Sequence, residues 1–89
     1  MDLFSPCDLG PHRLRNRLVM APMTRLRCGR DGVPGDMVAE YYAQRASMGL
    51  IVTEGAFPDL AARTWPGQPS IETAGQAAGW RKVADAVHA

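Results

Sequence analysis

Cysteine is scarce in this 89-residue sequence: Cys7 and Cys28 stand far apart, with no CxxC or histidine partner spacing. Neither a disulfide framework nor a zinc site is signalled. An excess of one charge is equally lacking, because ten Lys+Arg oppose nine Asp+Glu for a formal net charge of +1. Nucleic-acid and polybasic membrane footprints need clustered positive charge. Arg13, Arg15, Arg17, Arg25, Arg27 and Arg30 invite an arginine-rich anion binder, but they sit in a chain with no positive surplus. No apolar run approaches the ~20 residues of a membrane span. The start, Met1-Asp2-Leu3-Phe4-Ser5-Pro6, is acidic and broken by proline where a signal peptide would be basic and then apolar. The expectation is a cytoplasmic protein with neither a nucleic-acid nor a membrane partner.

What is present is 46% hydrophobic and 21% charged, enough for one domain at most. A chain this short buries only about 60% to two-thirds of its unfolded surface, so its core would be marginal. Leu3 to Arg17, punctuated by Pro6, Gly10 and Pro11 and alternating through Arg13-Leu14-Arg15-Asn16-Arg17, suits a short exposed strand or hairpin. Leu18-Val19-Met20-Ala21, stopped by Pro22, reads as a strand buried on both faces, with Pro22 at its carboxyl end. Thr24 to Pro34 is a loop with Cys28-Gly29-Arg30-Asp31-Gly32 as a flexible tip. The spacing of Val38, Tyr41, Tyr42 and Ala46 predicts a helix from Gly35 or Asp36 to about Ser47, ended by an αL-compatible Gly49.

Leu50-Ile51-Val52-Thr53 is β-branched enough for a second buried strand, closed by Glu54-Gly55. Residues 56 to 72 form a long, proline-punctuated connection, and loops of that length are functional or disordered. Thr73-x-x-Gln76 is a capping-box pattern opening a last helix. Ala77, Trp80, Val83, Ala84 and Val87 would be its buried face. Gly75 and Gly79 would each weaken it by about 1 kcal/mol relative to alanine. Strand and helix alternate, which implies βαβ units and a parallel sheet. Two strands do not make a stable parallel sheet, because its faces and edges must be covered. The chain therefore looks unfinished.

Four blocks carry a resemblance. Asn16-Arg17-Leu18-Val19-Met20-Ala21-Pro22-Met23-Thr24-Arg25 resembles the first barrel strand of the old yellow enzyme family of FMN-dependent oxidoreductases. Ala39-Glu40-Tyr41-Tyr42-Ala43-Gln44-Arg45-Ala46 resembles its first helix, and Leu50-Ile51-Val52-Thr53-Glu54-Gly55-Ala56 its second strand. Gly79-Trp80-Arg81-Lys82-Val83 with Val87-His88-Ala89 resembles its second helix. The blocks fall in the family's order and spacing across essentially the whole chain. The resemblance implies an α/β fold: the amino-terminal cap and first two βα units of a (β/α)₈ barrel, with residues 1–89 one part of an FMN-binding oxidoreductase domain. Such barrels run to about 250 residues and build their sites at the carboxyl ends of the strands.

On that resemblance FMN is the cofactor and NADH or NADPH the reductant, with hydride passed on to an electron-poor alkene or related small-molecule acceptor. Ala21, Pro22, Met23, Thr24 and Gly55 would bind the flavin. Thr24 would donate to its O4 and so tune it, since a donor aimed where charge develops stabilises that state. Gly55 would bring a bare backbone amide to the ring edge. Trp65 falls where relatives commonly place a substrate-lining tyrosine. The family's substrate-holding His-x-x-His or His-x-x-Asn pair, its proton-donating tyrosine and its phosphate site come from later strands, and neither histidine pair occurs here. No catalytic residue is therefore assigned in this chain. The alternative is a non-catalytic truncated or split-barrel fragment that needs a complementary chain; the partners expected are the remainder of the barrel as a separate chain or a second copy in a homo-oligomer. Without the resemblance, Pro22 would be a strand terminator, Thr24 and Gly55 turn formers, Trp65 loop packing, and Cys28 a passive thiol.

Overall fold

The computed structural model describes residues 2–89. Gly10, with φ +57°, turns Cys7–Leu9 (β1) back onto His12–Leu14 (β2) as an antiparallel hairpin pairing Cys7 with Leu14. Left-handed backbone of this kind is open to glycine at no steric cost. Val19–Met20 (β3) and Leu50–Ile51 (β4) then pair in parallel, Val19 with Leu50 and Met20 with Ile51. Asp36–Ala43 (α1) makes the crossover between them, and Ala74–His88 (α2) packs alongside α1. The element order is that of the βαβ reading.

The core lies between the sheet and the two helices. Met20, Cys28, Val38, Tyr42 and Val83 form it, with Ile51, Trp80 and Val87 packed around them. Burying each large side chain is worth about 1.5–3 kcal/mol. Only one face of the sheet is covered. Val19 and Val52 are 51% and 42% exposed, whereas Met20 is 5%. The expectation that β3 is buried on both faces is corrected accordingly: side chains alternate along a strand, and only the helical side supplies a partner among the described residues. The radius of gyration, 14.1 Å, exceeds the about 12 Å of a compact domain of this length.

Helix α1 stops at Ala43, short of the expected Ser47. Residues 44 to 48 continue as tighter turns, with Ala46 N–H donating to Ala43 and Met48 N–H to Arg45 carbonyls. Asn16 imposes this. Its side-chain amide donates to Ser47 O at 2.8 Å, and its Oδ1 accepts Gly49 N–H at 2.8 Å and Leu18 N–H at 3.0 Å. Gly49 is not in the left-handed region. It is required because a Cβ there would collide with the Asn16 carbonyl.

Helix α2 opens as its sequence dictates: Thr73 Oγ1 accepts Gln76 N–H at 3.1 Å, and Gln76 Oε1 accepts Thr73 N–H at 2.9 Å. Its buried stripe is Gln76, Gly79 and Val83, flanked by Trp80 and Val87, while Ala77 and Ala84 are exposed. The rotation from the expected face has a polar cause. Gln76 Nε2 reaches across to Asp31 O at 2.7 Å, so a buried glutamine, invisible to an apolar periodicity, anchors the helix. The 56–72 connection is ordered. Phe57 bridges Ser70, a 3₁₀ turn spans Leu60–Ala62, and Gln68 Oε1 accepts the N–H groups of Thr64 and Trp65.

Candidate functional site at the strand tips

Parallel pairing puts the carboxyl ends of β3 and β4 side by side, and the chain segments that leave them carry the residues singled out above. Ala21, Pro22, Met23 and Thr24 are all exposed beyond β3, and Gly55 is exposed beyond β4. Among the described residues, the N–H groups of Met23, Thr24 and Gly55 and the Thr24 hydroxyl have no hydrogen-bond partner. A Cβ built on Gly55 would meet nothing within 4 Å. The tips therefore present free donors on bare main chain, facing open space. A flat ring with acceptor atoms on its edge fits that donor set.

The two tips are joined. Arg25 N–H, directly after Thr24, donates to Glu54 Oε1 at 3.4 Å, directly before Gly55. Glu54 N–H in turn donates to the Tyr42 hydroxyl at 3.0 Å. Both Glu54 and Tyr42 are buried, at 3% and 1% exposure. Burial pushes the Glu54 carboxyl above the usual carboxylate range, partly offset by the Arg25 amide and charge and by Tyr42. Arg25 also leans on α1, its guanidinium carbon 5.6 Å from the Tyr41 ring centre, with Arg45 stacked at 4.0 Å. A small cleft of about 150 Å³ opens here, lined by Arg25, Arg27, Met37, Val38, Tyr41 and Glu54.

Sequence reasoning passed over Glu54 as a strand-closing residue and Tyr42 as helix packing. An acidic residue directly after an apolar run is the one signal available, because a carboxylate is almost never buried unless paired. Trp65 is not drawn into this cluster. The residue is 55% exposed, and its backbone N–H is held by Gln68 on its own loop. Cys28 is no flexible tip: it is buried, and its N–H donates to Gly67 O at 3.0 Å. Desolvation, reinforced by Glu54, pushes its thiol up to about 12, which fits a passive role. A larger cleft, about 650 Å³, lies away from the tips, beneath the hairpin between Arg13, Arg15, Met48, Leu50 and His88. Among the described residues, no cluster of acidic, histidine or cysteine side chains could hold a metal. No described helix is long and apolar enough to cross a membrane.

Comparison with known proteins gives a consistent picture. Residues 2–89 match the family described as NADH:flavin oxidoreductase / NADH oxidase. 12-Oxophytodienoate reductase 7 of Oryza sativa subsp. japonica is 48% identical over 98% of this chain and 22% of its own. The probable inactive reductase easA of Epichloe festucae var. lolii is 44% identical over 99% and 24%. Similarity across this segment thus does not separate active from inactive reductases. Among solved structures, morphinone reductase in complex with tetrahydroNAD superposes with a TM-score of 0.90 at 48% identity, over 97% of this chain and 23% of that one. The old yellow enzyme homologue from Zymomonas mobilis gives 0.92 at 43%, over 99% and 25%. The chain thus spans about a quarter of the length of these relatives. With its whole described length matched, and with its few strands and helices superposing on one part of such enzymes, this chain belongs to the NADH:flavin oxidoreductase / NADH oxidase family, the old yellow enzymes, which are FMN-dependent and take NAD(P)H as reductant.

Proposed function

We propose that residues 1–89 form the amino-terminal cap and first two βα units of a (β/α)₈ barrel, and that they supply one wall of an FMN site in an NAD(P)H-dependent ene-reductase. When bound, FMN would supply the redox chemistry that links NAD(P)H to an electron-poor alkene. The residues of this chain bind and orient. Ala21, Pro22 and Met23 form the bed under the ring, and the free main chain of Gly55 closes along its edge. The Thr24 hydroxyl donates to the edge on which reduction gathers negative charge. A preorganised donor of this kind is worth several kcal/mol where water is excluded, and through it the protein tunes the cofactor's electronics.

One observation carries this reading: free donors on exposed main chain at two adjacent parallel strand tips, in a chain whose family uses FMN. The uncovered row of Val19 and Val52 calls for further strands to complete the barrel interior, whether in the same polypeptide or in a complementary one. Turnover belongs to that completed barrel. The test joins residues 2–89 to the remainder of morphinone reductase and follows oxidation of NADH and NADPH with an electron-poor alkene. Oxidation coupled to loss of the alkene is the expected result, and a folded, inert protein would contradict the reading.

A further inference from the structure

Glu54 is a costly residue where it stands. A carboxylate 3% exposed gives up its hydration and is retained only where it has partners. Among the described residues the carboxylate's one hydrogen-bond partner is a backbone N–H rather than a cation in a salt bridge, while the Tyr42 hydroxyl accepts from the Glu54 main chain. Glu54 Oε1 accepts Arg25 N–H, and the residue's own N–H donates to Tyr42 Oη, which α1 brings up through the core. Tyr42 is itself fixed, fully buried and packed edge-on against Tyr41 with ring centres 5.1 Å apart. One continuous path thus runs from the helix to the β4 tip and across to the β3 tip. It ends one residue from Thr24 on one side and one residue from Gly55 on the other.

Resting on the flavin-site reading above, we infer that Tyr42 and Glu54 are positioning residues that set the relative placement of the Thr24 and Gly55 donors without touching the cofactor. The two segments have no backbone hydrogen bond to each other beyond Val52 N–H to Met20 O. From there outward the Glu54 carboxyl is the tie between them. It needs only an acceptor oxygen at Oε1, so an amide serves and an apolar side chain of the same length does not.

Amide hydrogen exchange of the ¹⁵N-labelled protein tests the tie, with Val83 in α2 as the internal control for global stability. Glu54→Met should speed Arg25 exchange about tenfold, the worth of one lost hydrogen bond, while Glu54→Gln stays near the parent. Tyr42→Phe, which keeps the packing, should speed Glu54 exchange by a similar factor and stands in if Glu54→Met does not fold. In the barrel joined to morphinone reductase, Glu54→Met should raise the FMN dissociation constant about tenfold and Glu54→Gln should leave it unchanged. Unaltered Arg25 and Glu54 exchange in the variants overturns the inference. So does loosened exchange with unchanged FMN affinity, or a Gln variant that behaves like Met. A parent joined barrel that binds no FMN overturns the flavin-site reading itself, a result distinct from these.

Discussion

Gly49 lies against Asn16 so closely that no side chain fits between them: its N–H donates to Asn16 Oδ1 at 2.8 Å, and a Cβ would strike the Asn16 carbonyl. This contact brings the end of the α1 segment to the start of β3 and so sets the register of the parallel pair. Asn16→Ala removes three hydrogen bonds from a buried side chain and should cost about 2–4 kcal/mol. Gly49→Ala should be at least as damaging, because backbone rather than a flexible side chain is in the way. Urea denaturation monitored by circular dichroism checks both.

Gly79 sets helix propensity against packing. Alanine would gain about 1 kcal/mol of propensity. Its Cβ, however, would meet Pro34 Cδ and O at 2.8 Å and Val33 Cγ1 at 3.0 Å. Overpacking against a proline costs about 1–3 kcal/mol, so the clash wins and Gly79→Ala lowers the melting temperature. Gly75, with only the Thr73 hydroxyl near at 3.9 Å, lacks that obstacle, and Gly75→Ala should raise it.

These glycines show what could be read from the residues alone. The hairpin, the parallel pair, the capping box and the crossover helix follow from turn residues, β-branched runs and 3.6-residue spacing. The fixed points of the fold are instead polar side chains acting across distance: Asn16 on residue 49, Gln76 on residue 31, Glu54 on residue 25. Periodicity counts such residues as surface, so it predicts a longer α1 than the Asp36–Ala43 helix and a different buried face for α2. At the candidate site, the exposed donors lay at the strand ends where proline and glycine put them. The buried pair behind them carried no local pattern.

Cys28 offers a pH test. Its thiol is raised from 9.0 to about 12, by burial first and Glu54 second. Between those values the unfolded chain loses the proton and the folded chain keeps it, so stability falls as pH rises from about 9 toward 12. Cys28→Ala should flatten that fall, read from denaturation midpoints at pH 8 and 10.5. At pH 8, a thiol-alkylating reagent followed by mass spectrometry should label Cys7, which is half-buried, well before Cys28.

Glu54 has the opposite acid behaviour to a carboxylate whose pKa is lowered by an ion pair. Its raised pKa means that the folded state holds the proton longer than the unfolded one. The stability it contributes is present below the ordinary glutamate range and is lost as pH climbs through the raised value. Glu54→Gln should remove that slope above the ordinary glutamate range while keeping the Arg25 hydrogen bond, as denaturation midpoints followed upward in pH from that range would show.

In the joined barrel, Thr24→Ala should lower the flavin reduction potential and slow NAD(P)H oxidation. The loss of one preorganised donor corresponds to roughly a hundredfold in rate. A potentiometric titration of the variant beside its parent reads the first effect, and stopped-flow reduction reads the second. An unaltered potential would assign the Thr24 hydroxyl to the loop rather than to the cofactor.

Binding itself is the most direct measurement. Residues 2–89 joined to the remaining strands of morphinone reductase should leave a gel-filtration column yellow, with one flavin absorbance equivalent per chain. A monodisperse, folded and colourless barrel that takes up no added FMN would contradict the account at its root.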